Sequence, residues 1–299
     1  MPAQFSRVMS EPTSVGQPDL RAASVRFTRQ RRGEYSLCDN WLMAVGSTFE
    51  QLLEEGNCEP VDGWDFSWFN GRASEARPSW GYFEQLSERV RTANAVLDVQ
   101  TGGGERFAEI LSTLHRLPET LAATESWPPN LAIARTALRS FGVSVREVAD
   151  DANFPFDDAG FDLVCSRHPT VNVWPEIHRV LQPGGTYFSQ QVGAGTNSEL
   201  SDFIMGPQPI SMVRDIDRTI SLATAAGLEV VNAQQDALPV VFFDVGAVVY
   251  FLRKVLWTVP DFSVERYRGR LQLLHQHISE HGEFTSHSLR FLIEAKKPG

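Results

Sequence analysis

Cysteine is scarce in this chain: Cys38, Cys58 and Cys165 are the only three among 299 residues. They are odd in number and form no C-x-x-C pair, so neither a zinc ligand set nor a disulfide framework follows. Long apolar runs are also lacking. No stretch approaches the roughly 18–20 residues a membrane span needs, and no basic segment leads into an apolar one near the N-terminus. The expected location is therefore cytoplasmic, with no membrane partner. Positive charge is in deficit too: 27 Lys and Arg against 37 Asp and Glu leave a net charge of −10. A basic footprint supplies most of the affinity for nucleic acid, which disfavours such a partner. Four of the histidines, His275, His277, His281 and His287, lie close together but match no zinc spacing, so no metal is expected.

What remains is the composition of a globular domain, with 42% hydrophobic and 21% charged residues. Residues 1–20, with Pro2, Pro12, Gly16 and Pro18, read as a mobile tail. Residues 21–92 read as a cap. In it Trp41, Leu42, Val45, Phe49, Leu52 and Leu53 line one helix face. The aromatics Trp64, Phe66, Trp68, Phe69 and Trp80 follow among Gly, Asp, Asn and Pro, before a helix from Tyr82 to Thr92. Strands are then expected at 94–99, 119–124, 144–149, 161–166, 185–191, 228–234 and 289–296, alternating with helices such as 129–141, 173–181 and 211–226. This alternation predicts an α/β fold: a Rossmann-like, doubly wound sheet of seven strands, the last one antiparallel and added at an edge. Residues 93–235 and 285–299 would form that domain. Residues 236–284, too long for a connection, read as an insertion that contributes to a substrate pocket.

The run Val96-Leu97-Asp98-Val99-Gln100-Thr101-Gly102-Gly103-Gly104 carries the most chemistry. A strand reaches an acidic residue, a glycine turn follows, and Glu105 to Leu114 continues as a helix. Such a turn brings backbone N–H groups and a helix N-terminus up to a ligand, because glycine has no Cβ to hold it off. A dinucleotide site would need G-x-G-x-x-G, but Phe107 stands where the third glycine belongs. Ligands of open α/β sheets bind at the carboxyl ends of the strands. There the chain places Asp98, Gln100 and Thr101, then Glu125, Ser126 and Trp127, then Asp150, Asp151 and Ala152, then Ser166, Arg167 and His168.

The spacing Asp98, Gly102, Gly104 resembles the first motif of the class I S-adenosylmethionine (SAM) methyltransferases, with Gln100 where the first glycine usually stands. Glu125, the Asp150–Phe156 stretch, Phe161-Asp162-Leu163-Val164 and Glu176 to Gly185 resemble the successive motifs of the same family. Arg290 to Pro298 resembles its final strand. Phe243 to Tyr250 is similar to a bacterial branch near the ribosomal-RNA guanine methyltransferases.

The resemblance implies that SAM is the cofactor. Gly102 and Gly104 would admit its methionine part, and Asp98 would hold its ammonium. Glu125 would grip two ribose hydroxyls, Trp127 would flank the adenine, and Asp150 or Asp151 would take the adenine amino group. Gln100, Thr101, Ser126, Ala152, Ser166 and Arg167 complete the expected cofactor set. His168 is the candidate general base, and Trp64, Trp68, Trp80, Tyr82 and Tyr250 are the candidate substrate contacts. Such chemistry rests on positioning, which supplies roughly 7–11 kcal/mol, while a base adds about 10²–10⁴-fold where a proton must leave. The acceptor is expected to be an oxygen or nitrogen of a small molecule. An RNA base, or SAM binding without catalysis as Gln100 suggests, are the alternatives. The oligomeric state is open.

Overall fold

The protein is described by a computed structural model over residues 48–61 and 66–299. The expected tail, most of the first helical stretch and Trp64 lie outside the described residues.

Phe49–Cys58 forms α1, opened by a capping box in which the Thr48 hydroxyl accepts from the Gln51 N–H. A short 3₁₀ turn at Ser67–Phe69, the strand β1 (Ala73–Glu75) and α2 (Tyr82–Thr92) follow. The run before the glycine turn becomes β2 (Ala95–Val99), buried along its whole length. A strand covered on both faces needs continuous rather than alternating apolar residues, as this run provides. Next come α3 (Glu105–Ser112), β3 (Thr120–Glu125), α4 (Pro128–Ala137), β4 (Ser144–Glu147), β5 (Phe161–Arg167), α5 (Trp174–Val180) and β6 (Leu181–Val192). The chain closes with α6 (Ser198–Met205), α7 (Ile216–Ala225), β7 (Glu229–Phe242), α8 (Val245–Lys254), α9 (Val264–His281) and β8 (Phe284–Lys296).

The eight strands form one sheet in the order β1-β7-β8-β6-β5-β2-β3-β4. β6, β5, β2, β3 and β4 run parallel, and β8 runs antiparallel to both β6 and β7. The expected antiparallel last strand is present. It lies between β6 and β7 rather than at an edge, and the sheet gains an eighth strand, β1, from the cap. Helices α2, α3 and α4 cover one face of the sheet through Leu86, Val90, Ile110, Leu111 and Ala134. Helices α5 and α7 cover the other through Trp174, Ile177, Val180 and Ala223.

β7 and β8 pair from Glu229↔Lys296 to Phe242↔Phe284, well beyond the lengths expected of them. The region read as insertion therefore starts as sheet. Beyond it, α1, α6, α8 and α9 build a second core around Leu52, Leu53, Leu200, Val248, Leu252, Leu271 and Leu274. Two glycines let α1 and α8 touch: a Cβ on Gly56 would lie 2.2 Å from the carbonyl oxygen of Gly246.

Candidate active site

The order of the strands reverses around β2, which pairs with β3 on one side and β5 on the other. The carboxyl ends of these parallel strands, and the loops after them, define the crevice where such sheets bind ligands.

Asp98, near the end of β2, is only 8% exposed. It accepts a 2.6 Å hydrogen bond from the Thr101 hydroxyl and a longer contact from the Cys165 thiol. Burial pushes its pKa up to about 6, against the lowering effect of those two bonds. Among the described residues it forms no ion pair. A buried carboxylate in that condition is a seat for an incoming cation.

Gln100 takes a left-handed backbone conformation, φ +56°, which explains why a glycine suits this position. Its backbone N–H donates to the Thr124 hydroxyl at 3.1 Å. The side chain turns to the loop after β5: its amide nitrogen donates to the Val171 carbonyl at 2.8 Å and its oxygen accepts from the Thr170 N–H at 2.6 Å. Gln100 thus spends its amide inside the protein. Gly102 (φ +66°) faces open space where a Cβ would stand, whereas a Cβ on Gly104 would press on Leu138, just beyond α4. The first glycine leaves room; the second admits a helix.

Glu125 ends β3 at 6% exposure. One oxygen accepts from the Gly102 N–H at 2.8 Å, and the other from the N–H groups of Ser126 (3.0 Å) and Trp127 (2.9 Å). The carboxylate therefore clips the glycine turn to the start of α4. A carboxylate offers about four lone-pair directions, so these three N–H groups leave one. Trp127, at the N-terminus of α4, is 51% exposed. Beyond β4, Asp150 is half-buried and Asp151 exposed, and the Ala152 N–H closes a turn onto Ala149.

At the end of β5, Ser166 is fully buried, its hydroxyl 2.8 Å from both Tyr187 and Ser189. It belongs to the interior, not to the crevice. Arg167 is exposed, and loss of hydration with Arg106 nearby holds its guanidinium below the usual value.

His168 (φ +56°) requires a correction. Its Nε2 lies 3.1 Å from the Gln190 amide nitrogen. The Trp80 indole N–H, a donor only, binds the Gln190 oxygen at 2.9 Å, so the Gln190 amide must point its NH₂ at the histidine. Nε2 is then an acceptor already engaged, and the proton of the neutral ring sits on Nδ1. Burial, then the charges of Arg167, Arg290 and Arg214, hold its pKa well below the usual imidazole value. This histidine is disposed to donate from Nδ1 rather than to remove a proton.

Of the expected substrate aromatics, Trp80, Tyr82 and Tyr250 are buried and are corrected likewise, whereas Trp68 is half-buried. Tyr82 is buried, stacked 5.3 Å from Phe188, with its hydroxyl on the Ser166 carbonyl. Trp80 is buried behind Gln190 and orients it. Trp68 and Tyr250 pack together 4.8 Å apart in the second core, with Arg72 over the Trp68 ring. Their packing faces are covered from within. Sequence reasoning missed Gln190, Arg214 and Arg290. Gln190-Gln191 inside an otherwise apolar strand was the available signal, since buried amides need partners.

Residues 97–189 match the family model described as a methyltransferase domain. Over that stretch, about a third of its length, the chain carries a methyltransferase domain. S-adenosylmethionine is the cofactor that such a domain implies. A malonyl-[acyl-carrier protein] O-methyltransferase of Marinomonas sp. (strain MWYL1) is 23% identical over 249 residues, covering 76% of this chain and 91% of that protein. A methyltransferase-designated protein of Bacillus halodurans C-125 shares the fold at a TM-score of 0.51 and 16% identity, over 73% of this chain and 99% of its own. The YcgJ protein of Bacillus subtilis does so at 0.52 and 14%, over 73% and 98%. This methyltransferase has no helix among its described residues long and apolar enough to cross a membrane.

The crevice fits the cofactor. Asp98 is a buried carboxylate lacking a cation, Gly102 opens on empty space, and Trp127 leaves a broad aromatic face uncovered at the same end of the sheet.

Proposed function

We propose that this methyltransferase transfers the methyl group to an oxygen or nitrogen of a small-molecule acceptor, with the cofactor held across the ends of β2, β3 and β4. The buried Asp98, raised to about 6 and without a cationic partner, is the observation that carries this reading. Asp98 holds the ammonium of the cofactor, and the turn Thr101-Gly102 lies against its methionine part. Glu125 takes one ribose hydroxyl in its remaining direction, and a second by trading one backbone N–H contact. Trp127 covers the adenine. Asp150, half-buried where Asp151 is exposed, takes the adenine amino group, with Ala152 shaping the turn beside it. Gln100 acts through the loop it fastens, and Ser166 through the strand pair β5–β6 it joins.

When bound, the cofactor supplies an electrophilic methyl carbon that needs no activation by the protein. The protein's part is alignment, worth roughly 7–11 kcal/mol when the reacting atoms are held in line. Two features favour a small acceptor: the net charge of −10 and the O-methyltransferase name of the Marinomonas relative.

Calorimetric titration of the full chain with S-adenosylhomocysteine, with NAD as control, tests the cofactor site. Binding of the first alone is expected, lost in Asp98→Ala and Glu125→Ala. Unchanged affinity in both variants would remove these residues from the site, and salt-dependent RNA binding would overturn the small-molecule reading.

A further inference from the structure

Next to the cofactor crevice the protein gathers positive charge that its own carboxylates neutralise only in part. Arg167 stands opposite Gln190 in the β5–β6 pairing, and Arg290 stands opposite Val192 in the β6–β8 pairing. Residues two apart on a strand share a face, so both arginines rise from the face on which Gln190 holds His168 and Trp80. Arg214 ends a 3₁₀ turn, Met212–Arg214, that is tied to the end of β6 by the Ala194 N–H on its carbonyl. All three are close enough to His168 to depress its basicity. Arg290 meets one carboxylate, Glu75, at 3.0 Å. Asp236 stands opposite Arg290 on β7 but makes no ion pair with it. Arg214 is half-buried with no ion pair among the described residues, and loss of hydration lowers its pKa below the usual guanidinium value; Arg167 is more exposed and makes no ion pair either, feeling Asp98 and Glu75 only at longer range. Proteins seldom leave guanidinium groups partly desolvated and unpaired, because the desolvation goes uncompensated.

The histidine points the same way. With Nε2 engaged by Gln190, its Nδ1–H is a donor with no acceptor among the described residues. Three cations and one N–H donor therefore converge at the end of β5, and the histidine among them is not free to act as a base. An alcohol or phenol acceptor would need a base to take its proton. A carboxylate needs none, being ionised at neutral pH, and guanidinium forks match its two oxygens.

We propose that Arg167, Arg214, Arg290 and the Nδ1–H of His168 seat a carboxylate, which is the methyl acceptor, so that the product is a methyl ester. The inference rests on the cofactor site described above. One carboxylate oxygen supplies the electron pair for the new O–CH₃ bond; the pair of the broken C–S bond stays on sulfur, leaving S-adenosylhomocysteine and a neutral ester, and no proton moves. Loss of the negative charge also weakens the hold of the arginines, which favours release. Ile210, Met212 and Val213, exposed at 54%, 56% and 71% beside Arg214, suit an acid with an apolar body.

The test uses the full chain saturated with S-adenosylhomocysteine and titrates acids against their primary amides: decanoate with decanamide, benzoate with benzamide, succinate with succinamide. At least one acid is expected to bind about tenfold or more tightly than its amide, as charge-assisted hydrogen bonds require. Arg214→Gln and Arg290→Gln should each weaken that acid by roughly tenfold while S-adenosylhomocysteine binds as before, and Arg214→Lys should restore part of the loss. With SAM present, mass spectrometry should find the methyl ester of the preferred acid. If S-adenosylhomocysteine binds and no acid outbinds its amide, the carboxylate seat is overturned while the cofactor site stands. If S-adenosylhomocysteine itself fails to bind, the underlying reading falls and the inference with it. Normal acid binding by both glutamine variants would also overturn the assignment.

Discussion

Around Arg72 charges are matched: the guanidinium meets both oxygens of the buried Asp244 at 2.8 Å, and Glu55 at the same distance, tying α1 and β1 to the start of α8. At the strand ends the opposite holds. Asp98 is buried without an ion pair, and Arg167 and Arg214 make none among the described residues, Arg167 and Asp98 feeling each other only at longer range. The first arrangement has nothing left to bind; the second stores unsatisfied electrostatics that a ligand can complete. The packing differs in the same sense. Gly56 and Gly246 bring two helix backbones into contact, whereas Gly102 faces space.

The largest effect should come from breaking the matched end. Arg72→Met leaves the buried Asp244 uncompensated and should cost about 3–5 kcal/mol, which lowers Tm by on the order of ten degrees for a chain of this size. Thermal unfolding measures it, and a shift within a degree would erase the distinction between the two regions.

Asp98→Asn should act with the opposite sign on stability. The folded pKa of about 6 lies above that of an ordinary aspartate, so the native state is favoured while the group is protonated. That advantage is complete below pH ~4 and is lost as pH rises towards about 6. Above this, the ionised group costs roughly 3 kcal/mol at 1.36 kcal/mol per pH unit. The asparagine variant should be more stable than wild type at pH 7, by up to that amount, and no more stable at pH 3.5. Its affinity for S-adenosylhomocysteine should be lower and flat with pH, whereas that of wild type should fall as pH drops below about 6. A variant equally stable at pH 7 would mean that Asp98 has a cationic partner.

Alanine at the two kinds of glycine sharpens the packing contrast. Gly56→Ala forces a Cβ onto a carbonyl oxygen and should cost roughly 1–3 kcal/mol or more. Gly102→Ala meets no atom and should cost only about 1–2 kcal/mol for its left-handed backbone. Equal unfolding midpoints would refute that difference. The smallest effect is expected for His168→Ala, which should leave S-adenosylhomocysteine affinity unchanged. At saturating SAM, which removes the limb due to Asp98, the pH–rate profile of the wild type should show no limb near the usual imidazole range. A limb in that range, abolished by the variant, would restore the role of base.

The parallel half of the sheet was legible from its sequence because buried strands there are continuous apolar runs punctuated by turns, as Ala95–Val99 shows. The long ribbon was not. In β8 the inward positions before Leu289 are Phe284, Ser286 and Ser288, two of them buried serines that disguise the alternation. In β7, Pro239 argues against a strand, yet it is tolerated where only a short edge strand lies beside it. The crevice was legible as a set of strand ends: Asp98, Glu125 and Asp150 gather where the order of elements demands. The state of each group was not. Whether Glu125 is free, or His168 a base, depends on partners far along the chain, such as Gly102 and Gln190.

Gln100 replaces a residue that would leave the turn after β2 on its own. A non-glycine residue in the left-handed region costs about 1–2 kcal/mol, and the chain recovers it through the amide bonds to Thr170 and Val171. The turn beside the ammonium seat and the segment leading away from His168 are thereby riveted together. If occupancy on one side of the rivet is felt on the other, thermodynamic reciprocity makes the acceptor sharpen the grip on the donor as much as the donor sharpens the grip on the acceptor. Gln100→Gly would cut that linkage and let the two ligands bind as strangers.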